Sequence, residues 1–309
     1  MISIVIPTRN GMDTLPGVLA AIAAQRIDEP VEIVAIDTAS TDGTPALLQR
    51  HATTVLHVAQ GGFNHGASRN EAIAHTRGEL VVLLSQDAEP ANDQWLVNLV
   101  APLQQHADVA GAFARQQVRA SATALARHYH ANWFGSSNVS RTSRIDDGAA
   151  FDRLPPLQRM RHCTFDNVCS CIRKDVWTRI PFRTTPIAED LEWSLEVQRA
   201  GHAVTFAADA VVLHSHERTA TYEFKRTALL HQRLYELFGV RTIPTVSALM
   251  RAVISTAGLH ARCLREAEPQ IPRESVARAA ALALAWPLGQ YVGGRRGARG
   301  LPPLQTSDV

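Results

Sequence analysis

The sequence predicts an α/β fold: a mostly parallel sheet flanked by helices, with a helical C-terminal extension. Three observations predict it. Short, continuously apolar runs alternate with helical patterns through the first third of the chain. Runs that are apolar on both faces suit strands covered on both sides by right-handed crossover helices. The runs end in clusters of Asp, Asn, Ser and Thr, and from about residue 239 the pattern becomes helical and rich in Ala, Leu and Arg.

In order, "ISIVIP" reads as a strand, Thr14 to Ala24 as a helix and "VEIVAID" as a second strand. "TPALLQRH" then reads as a helix, "TVLHVA" as a third strand, Ala67 to His75 as a helix and "ELVVLLSQD" as a fourth strand. Between about 111 and 165 the pattern weakens. A helix is expected over Ala120 to Trp133, and the polar stretch "GSSNVSRTSRIDDGA" reads as a mobile loop. "FDNVCSCIRKDVW", "IAEDLEWSLEVQRAG" and "AVTFAADAVVLHSH" follow as strand, helix and strand. The chain closes with "GQYVGGRRGARG" and a short tail expected to be disordered.

The 309 residues suffice for a sizeable core. Lys+Arg 31 against Asp+Glu 29 leaves a net charge of +2, so no global basic field supports a nucleic-acid partner. The four cysteines have neither C-x-x-C nor zinc-finger spacing, which points to a reducing cytoplasm. Met1 leads directly into "ISIVIPT", read as a buried strand and not as a signal peptide. The apolar run Ala279 to Leu288 is too short for a membrane span, which needs about 18 to 20 apolar residues.

In parallel sheets ligands bind outside the carboxyl ends of the strands. That rule selects Pro7 to Asn10, Asp37 to Thr44, the loop "GGFNHGASRN" (61–70), and Ser85 to Glu89. Asp37 sits where an acidic residue accepts hydrogen bonds from a ribose or base, although its Ser/Thr/Asp cluster also reads as a helix cap. Asp87, at the end of the fourth strand, is placed to hold a magnesium-like cation, with an acidic turn as the alternative. Glu189 and Asp190 open a helix, where the dipole is expected to keep a carboxylate ionised near neutral pH and fit for general-base work. His214 and His216 leave a strand on one face, as packed residues or as a source of one metal ligand. In the 61–70 loop, Gly61 and Gly62 allow a ligand close to the backbone, and Arg69 offers forked donors to a base or diphosphate. Asn64, His65 and Asn70 add directional polar contacts.

The stretches "SIVIPTRNG", "DTASTDGT", "SQDAEP" and "AEDLEW" resemble family-two glycosyltransferases of the Rossmann-like GT-A fold. "GGFNHGASRN" with "VVLHSHERTATYEFKR" is similar to bacterial rhamnosyltransferases that build O-antigen and other surface polysaccharides. The resemblance implies an inverting transfer of a sugar, L-rhamnose from dTDP-rhamnose, to a saccharide or lipid-linked acceptor. It places the nucleotide sugar on Pro7, Thr8, Asn10, Asp37, Asn64, His65, Gly66, Arg69, Gln86 and Asp87. It assigns a divalent cation (Mg or Mn) to Asp87 and His216, with Glu89 as a possible helper, and the catalytic base to Asp190. "SQDA" keeps one aspartate where the family's D-x-D offers two. The implied organisation is a nucleotide-sugar half over 1–110, an acceptor and catalytic half over 111–238, and a helical extension over 239–309. Another donor sugar, or a catalytically silent nucleotide-sugar scaffold, is the competing expectation.

In the extension, Arg251, Arg262, Arg265, Arg278, Arg295, Arg296 and Arg299 interleave with Ala/Leu stretches and Trp286. The pattern suits peripheral contact with an anionic membrane face and, equally, a helical cap or homo-oligomer interface.

Overall fold

The computed structural model describes residues 1–215 and 217–304; His216 and residues 305–309, within the expected disordered tail, lie outside the described residues. The first third folds as strand and helix in turn: β1 (Ile2–Thr8), α1 (Leu15–Ala23), β2 (Val31–Thr38), α2 (Thr44–His51), β3 (Thr54–Val58), α3 (His65–Ala74) and β4 (Leu80–Leu84). There follow β5 (Glu89–Pro90), α4 (Trp95–Gln105), β6 (Val109–Gln117), α5 (Ala124–Ala131), β7 (Arg141–Arg144), α6 (Gly148–Arg153), α7 (Pro156–His162), β8 (Cys169–Arg173), α8 (Lys174–Arg179), α9 (Glu189–Arg199) and β9 (Ala203–Leu213). Three long helices end the chain: α10 (Ala220–Phe238), α11 (Val246–Glu266) and α12 (Val276–Ala298).

The strands form one sheet in the order β3-β2-β1-β4-β8-β6-β9, with β5 and β7 both on the outer edge of β9. β8 runs antiparallel to both β4 and β6, so β6 and β9 share the direction of β1 to β4 and the sheet is mostly parallel. Both faces are covered. Ile2, Ile4 and Ile6 pack in one layer with α1 and α4, while Val5, Val34, Val81 and Leu83 pack in the other with Trp193 and Val197 of α9. Each such buried side chain stabilises the fold by about 1.5–3 kcal/mol. A third cluster, around Phe151, Leu234 and Phe238, seats α10.

Two differences from expectation have physical causes. α3 starts at His65, two residues early, because Asn64 caps it by accepting from the backbone N–H of Gly66 and Ala67. Within the expected mobile loop, Arg141 to Arg144 form β7, whose Thr142 hydroxyl meets that of Thr205 at 2.9 Å. A polar strand with arginines at a sheet edge lacks the apolar signature of a strand yet blunts that edge. In keeping with the helical pattern expected from about 239, "GQYVGGRRGARG" continues α12 as far as Ala298. Gly289, Gly293 and Gly297 face α10 so closely that a Cβ on Gly293 would lie 2.2 Å from the Ala228 carbonyl oxygen.

Trp286 is turned inward, its indole donating to Glu223 and its ring against Tyr129 and His260, so it is no interfacial anchor. Among the described residues no helix is long and apolar enough to cross a membrane.

Candidate active site

At the ends of β1, β2 and β4 the predicted residues form one knitted rim. Asp37 is buried and accepts from the Thr8 hydroxyl at 2.9 Å, the Ser40 hydroxyl at 2.6 Å and the Ser40 N–H at 3.0 Å. Asn10 ties the two loops together: its N–H donates to the Ser40 hydroxyl and its side-chain oxygen accepts from the Thr41 N–H, each at 2.8 Å. Gln86 clasps the Arg9 backbone from the β4 side, accepting from the N–H at 2.8 Å and donating to the carbonyl at 3.0 Å. Asn10 and Ala39 have positive φ of 47° and 46° without being glycine, so these loops hold strained turns fixed by their neighbours. Pro7 pairs with Ile36 within the sheet, directly behind this rim.

The second group starts at Asp87 and runs across the sheet. The Asp87 carboxylate lies 3.5 Å from His214 Nε2. His214 Nδ1 meets Gln116 Oε1 at 2.7 Å, and Gln116 Nε2 donates to Asp166 at 2.7 Å. With Gln116 Oε1 at its Nδ1, the His214 ring is oriented so that Nε2 faces Asp87. A carboxylate beside an oriented imidazole fits a divalent cation that takes its remaining oxygens from a diphosphate. Among the described residues no group of three or more His, Cys, Asp or Glu side chains could hold a metal ion. The expected ligand His216 lies outside the described residues. Glu89, expected as a helper, is instead paired with Arg119 at 2.7 Å, and Arg119 also donates to the Asp87 carbonyl.

Asp190 stands in the first turn of α9, half-buried, accepting from the Leu191 N–H at 2.8 Å and the Asn167 N–H at 3.3 Å. The expectation that the helix dipole holds it ionised is corrected by its surroundings. Burial, with the carboxylates of Glu189 and Asp166 beside it, pushes Asp190 up to about 8. Asp166 is raised as well, chiefly by burial. For Glu189 burial works in the same direction, but the Arg69 guanidinium, with His65 beside it, prevails and holds it below the usual carboxylate range.

Several side chains of the 61–70 motif, expected to face a ligand, have partners within the protein. Arg69 is buried and its Nη1 lies 2.5 Å from Glu189 Oε1, so its fork is turned away from solvent. Asn64, besides capping α3, donates to the Thr185 carbonyl at 3.0 Å. Asn70 donates to the Phe182 carbonyl at 2.7 Å and accepts from the Phe182 N–H and the Trp177 indole. A Cβ on Gly66 would lie 2.0 Å from the Arg183 carbonyl oxygen, so this glycine permits backbone contact within the protein and is no ligand cradle. His65, whose own value burial lowers, packs edge-on against the Phe63 ring.

Asp37, Asp87 and Asp190 thus lie along one rim. Sequence reasoning missed Gln116, Asp166 and Asn167, which link the last two. Gln116 is the penultimate residue of β6, a strand the sequence pattern did not reveal. Asp166 and Asn167 precede β8, and because β8 is reversed its amino end, with Cys169 opposite Leu84, reaches the same rim as the carboxyl ends of its neighbours.

Residues 3–165 match the family model described as glycosyl transferase family 2. The chain is 31% identical over 233 residues to the O-antigen chain rhamnosyltransferase RfbN of Salmonella typhimurium, covering 73% of this chain and 69% of that protein. It is 26% identical over 206 residues to the O-antigen chain rhamnosyltransferase WbaN of Salmonella anatum, covering 65% and 62%. Among solved structures, the mannosyltransferase PcManGT from Pyrobaculum calidifontis, in complex with GDP-Man and Mn2+, shares the fold with a TM-score of 0.55 at 18% identity, over 98% of this chain and 76% of that one. Glucosyl-3-phosphoglycerate synthase from Mycobacterium tuberculosis gives 0.53 at 17%, over 78% and 80%. The architecture is GT-A.

Proposed function

The chain belongs to glycosyltransferase family 2, and on that premise we propose that it is an inverting, cation-dependent rhamnosyltransferase. It moves L-rhamnose from dTDP-L-rhamnose to a hydroxyl of a saccharide or lipid-linked acceptor in surface polysaccharide synthesis. The supporting observation is the shared rim of Asp37, Asp87 and Asp190.

The nucleotide half of the donor lies against the Pro7–Asn10 and Asp37–Thr44 loops, whose mutual hydrogen bonds fix their shape before the donor arrives. Asp87, with His214 facing it, holds a divalent cation, for which the resemblance to the family also implies His216 as a ligand. When bound, that ion supplies the positive charge that stabilises the departing diphosphate. Asp190 takes the proton of the acceptor hydroxyl as the acceptor oxygen bonds to the anomeric carbon and the bond to the diphosphate breaks on the opposite face. General-base help of this kind contributes about 10²–10⁴ in rate. The raised value of Asp190 makes its ionised form a stronger base than a surface carboxylate.

The donor is tested by thermal unfolding with a panel of nucleotide sugars in Mn2+ or Mg2+, followed by nucleotide release. dTDP-L-rhamnose gives the largest protection and the fastest release; a UDP- or GDP-sugar that outperforms it reassigns the donor. Chelation abolishes release and Mn2+ restores it, whereas unchanged release in chelator removes the cation from the reaction.

We place the enzyme at the cytoplasmic face of the membrane, with residues 1–110 as the donor half, 111–238 as the acceptor half and 239–309 as the membrane-facing or oligomer-forming extension. α11 supports this placement: Val246, Met250 and Ile254 form an exposed apolar row beside exposed Arg251, with exposed Arg262 and Arg265 further along the helix. Sedimentation with anionic vesicles, lost on truncation before Val246, tests it.

A further inference from the structure

Four residues of the 64–70 turn make contacts with the run 177–189, more than 100 residues away. Asn64 holds Thr185, Gly66 seats Arg183, Asn70 clamps Phe182 and Trp177, and Arg69 pairs with Glu189. The run ends at Ala188, whose φ of +62° is left-handed, a conformation that a non-glycine residue keeps only where its surroundings impose it. Next come Glu189 and Asp190. A closed ring then joins four residues: Arg69 donates to Glu189 and to the Asn167 carbonyl at 3.3 Å, Asn167 Nδ2 donates to Glu189 at 3.3 Å, and the Asn167 N–H donates to Asp190 at 3.3 Å.

We infer that the Asn64–Asn70 turn is the positioning element for the base, and that Arg69 acts through Glu189 to fix the place and charge surroundings of Asp190, and not as a ligand of the donor. The inference rests on Asp190 being the base. With its side chain 7% exposed, Arg69 cannot reach a bound diphosphate without abandoning a buried carboxylate. The charged and titratable groups that bear on this ring are Arg69 and His65 from α3, Asp166 before β8, Glu189 on α9, His214 after β9 and Arg226 on α10. Of these, the Glu189 carboxylate is the nearest like charge in sequence to Asp190, and Arg69 is what allows it to remain charged in a buried position.

The test measures dTDP release from dTDP-L-rhamnose with water as acceptor and Mn2+ present, as pH profiles of kcat and KM. Glu189→Gln keeps the shape of the ring and removes the neighbouring charge, so the acidic limb of kcat moves down by about one pH unit with donor KM unchanged. Arg69→Lys keeps the charge but loses the fork, so kcat falls roughly a hundredfold through misplacement, again with donor KM unchanged. A donor KM that rises tenfold in Arg69→Lys while kcat is kept makes Arg69 a donor ligand and overturns the inference. An acidic limb that stays in place in Glu189→Gln overturns it equally. Asp190→Asn separates the two levels: turnover kept there removes Asp190 as base, whereas an inactive Asp190→Asn beside an unmoved limb defeats only the positioning role.

Thermal unfolding from pH 4 to 9 needs no donor. A carboxyl whose folded value is raised contributes stability that is complete below its unfolded value and is lost as pH rises through the folded one. Asp190→Asn therefore becomes progressively more stable than the wild type as pH rises towards 8. In the Glu189→Gln background the same substitution gains less; an equal gain overturns the inference.

Discussion

At one end of the rim, Asp37 is surrounded by donors: two hydroxyls and a backbone N–H fill its oxygens, and the loops it binds are tied again by Asn10 and Gln86. At the other end, Asp166, Glu189 and Asp190 crowd together, and among the described residues their one direct cation contact is Arg69 on Glu189. Both ends use buried or half-buried carboxylates, yet the first spends its charge on holding a shape and the second leaves one proton loosely decided. A satisfied carboxylate makes a rigid receptor, and a crowded one makes a base.

The sharpest way to break this contrast is to neutralise one carboxylate at each end. Asp190→Asn lowers kcat by about 10²–10⁴ while the donor-induced rise in unfolding temperature persists. If the thermal shift vanishes with turnover, both ends bind donor and the division of labour fails. The pH profile comes next in size. With Asp190 as the proposed base, pushed up to about 8, kcat is expected to fall by roughly fiftyfold from pH 8 to pH 6. A profile flat across that range would show that the crowding has no chemical effect. Asp37→Asn is expected to raise donor KM by about tenfold through the loss of charge-assisted hydrogen bonds, and to leave the pH limb where it was. The smallest effect sharpens the link between the ends: Gly66→Ala overpacks the Arg183 contact, costing about 1–3 kcal/mol in denaturant unfolding, and lowers kcat more than it raises donor KM.

Much of the donor end was legible. Apolar runs such as "ISIVIP" and "VEIVAID" announce buried parallel strands, and Thr8, Asp37 and Gln86 follow from asking what lies just past their ends. The base end was legible only in part. Glu189 and Asp190 showed themselves at a helix start, but the ionisation of Asp190 depends on Asp166 and Glu189 meeting across a reversed strand, which no local pattern announces. Arg69 and Asn70 were recognisable as unusual for a turn, yet sequence spacing could not say whether they face a ligand or another part of the chain. β7 escaped because an edge strand of Arg, Thr and Ser has the composition of a loop.

The seat of Gly66 against the Arg183 carbonyl has a consequence for how such a chain can diverge. Two segments separated by more than a hundred residues touch there without a side chain between them, so neither can drift alone. Descendants that alter the length or course of residues 182–187 must alter the opening turn of α3 in concert, and covariation between the two stretches would be the hereditary trace of that contact.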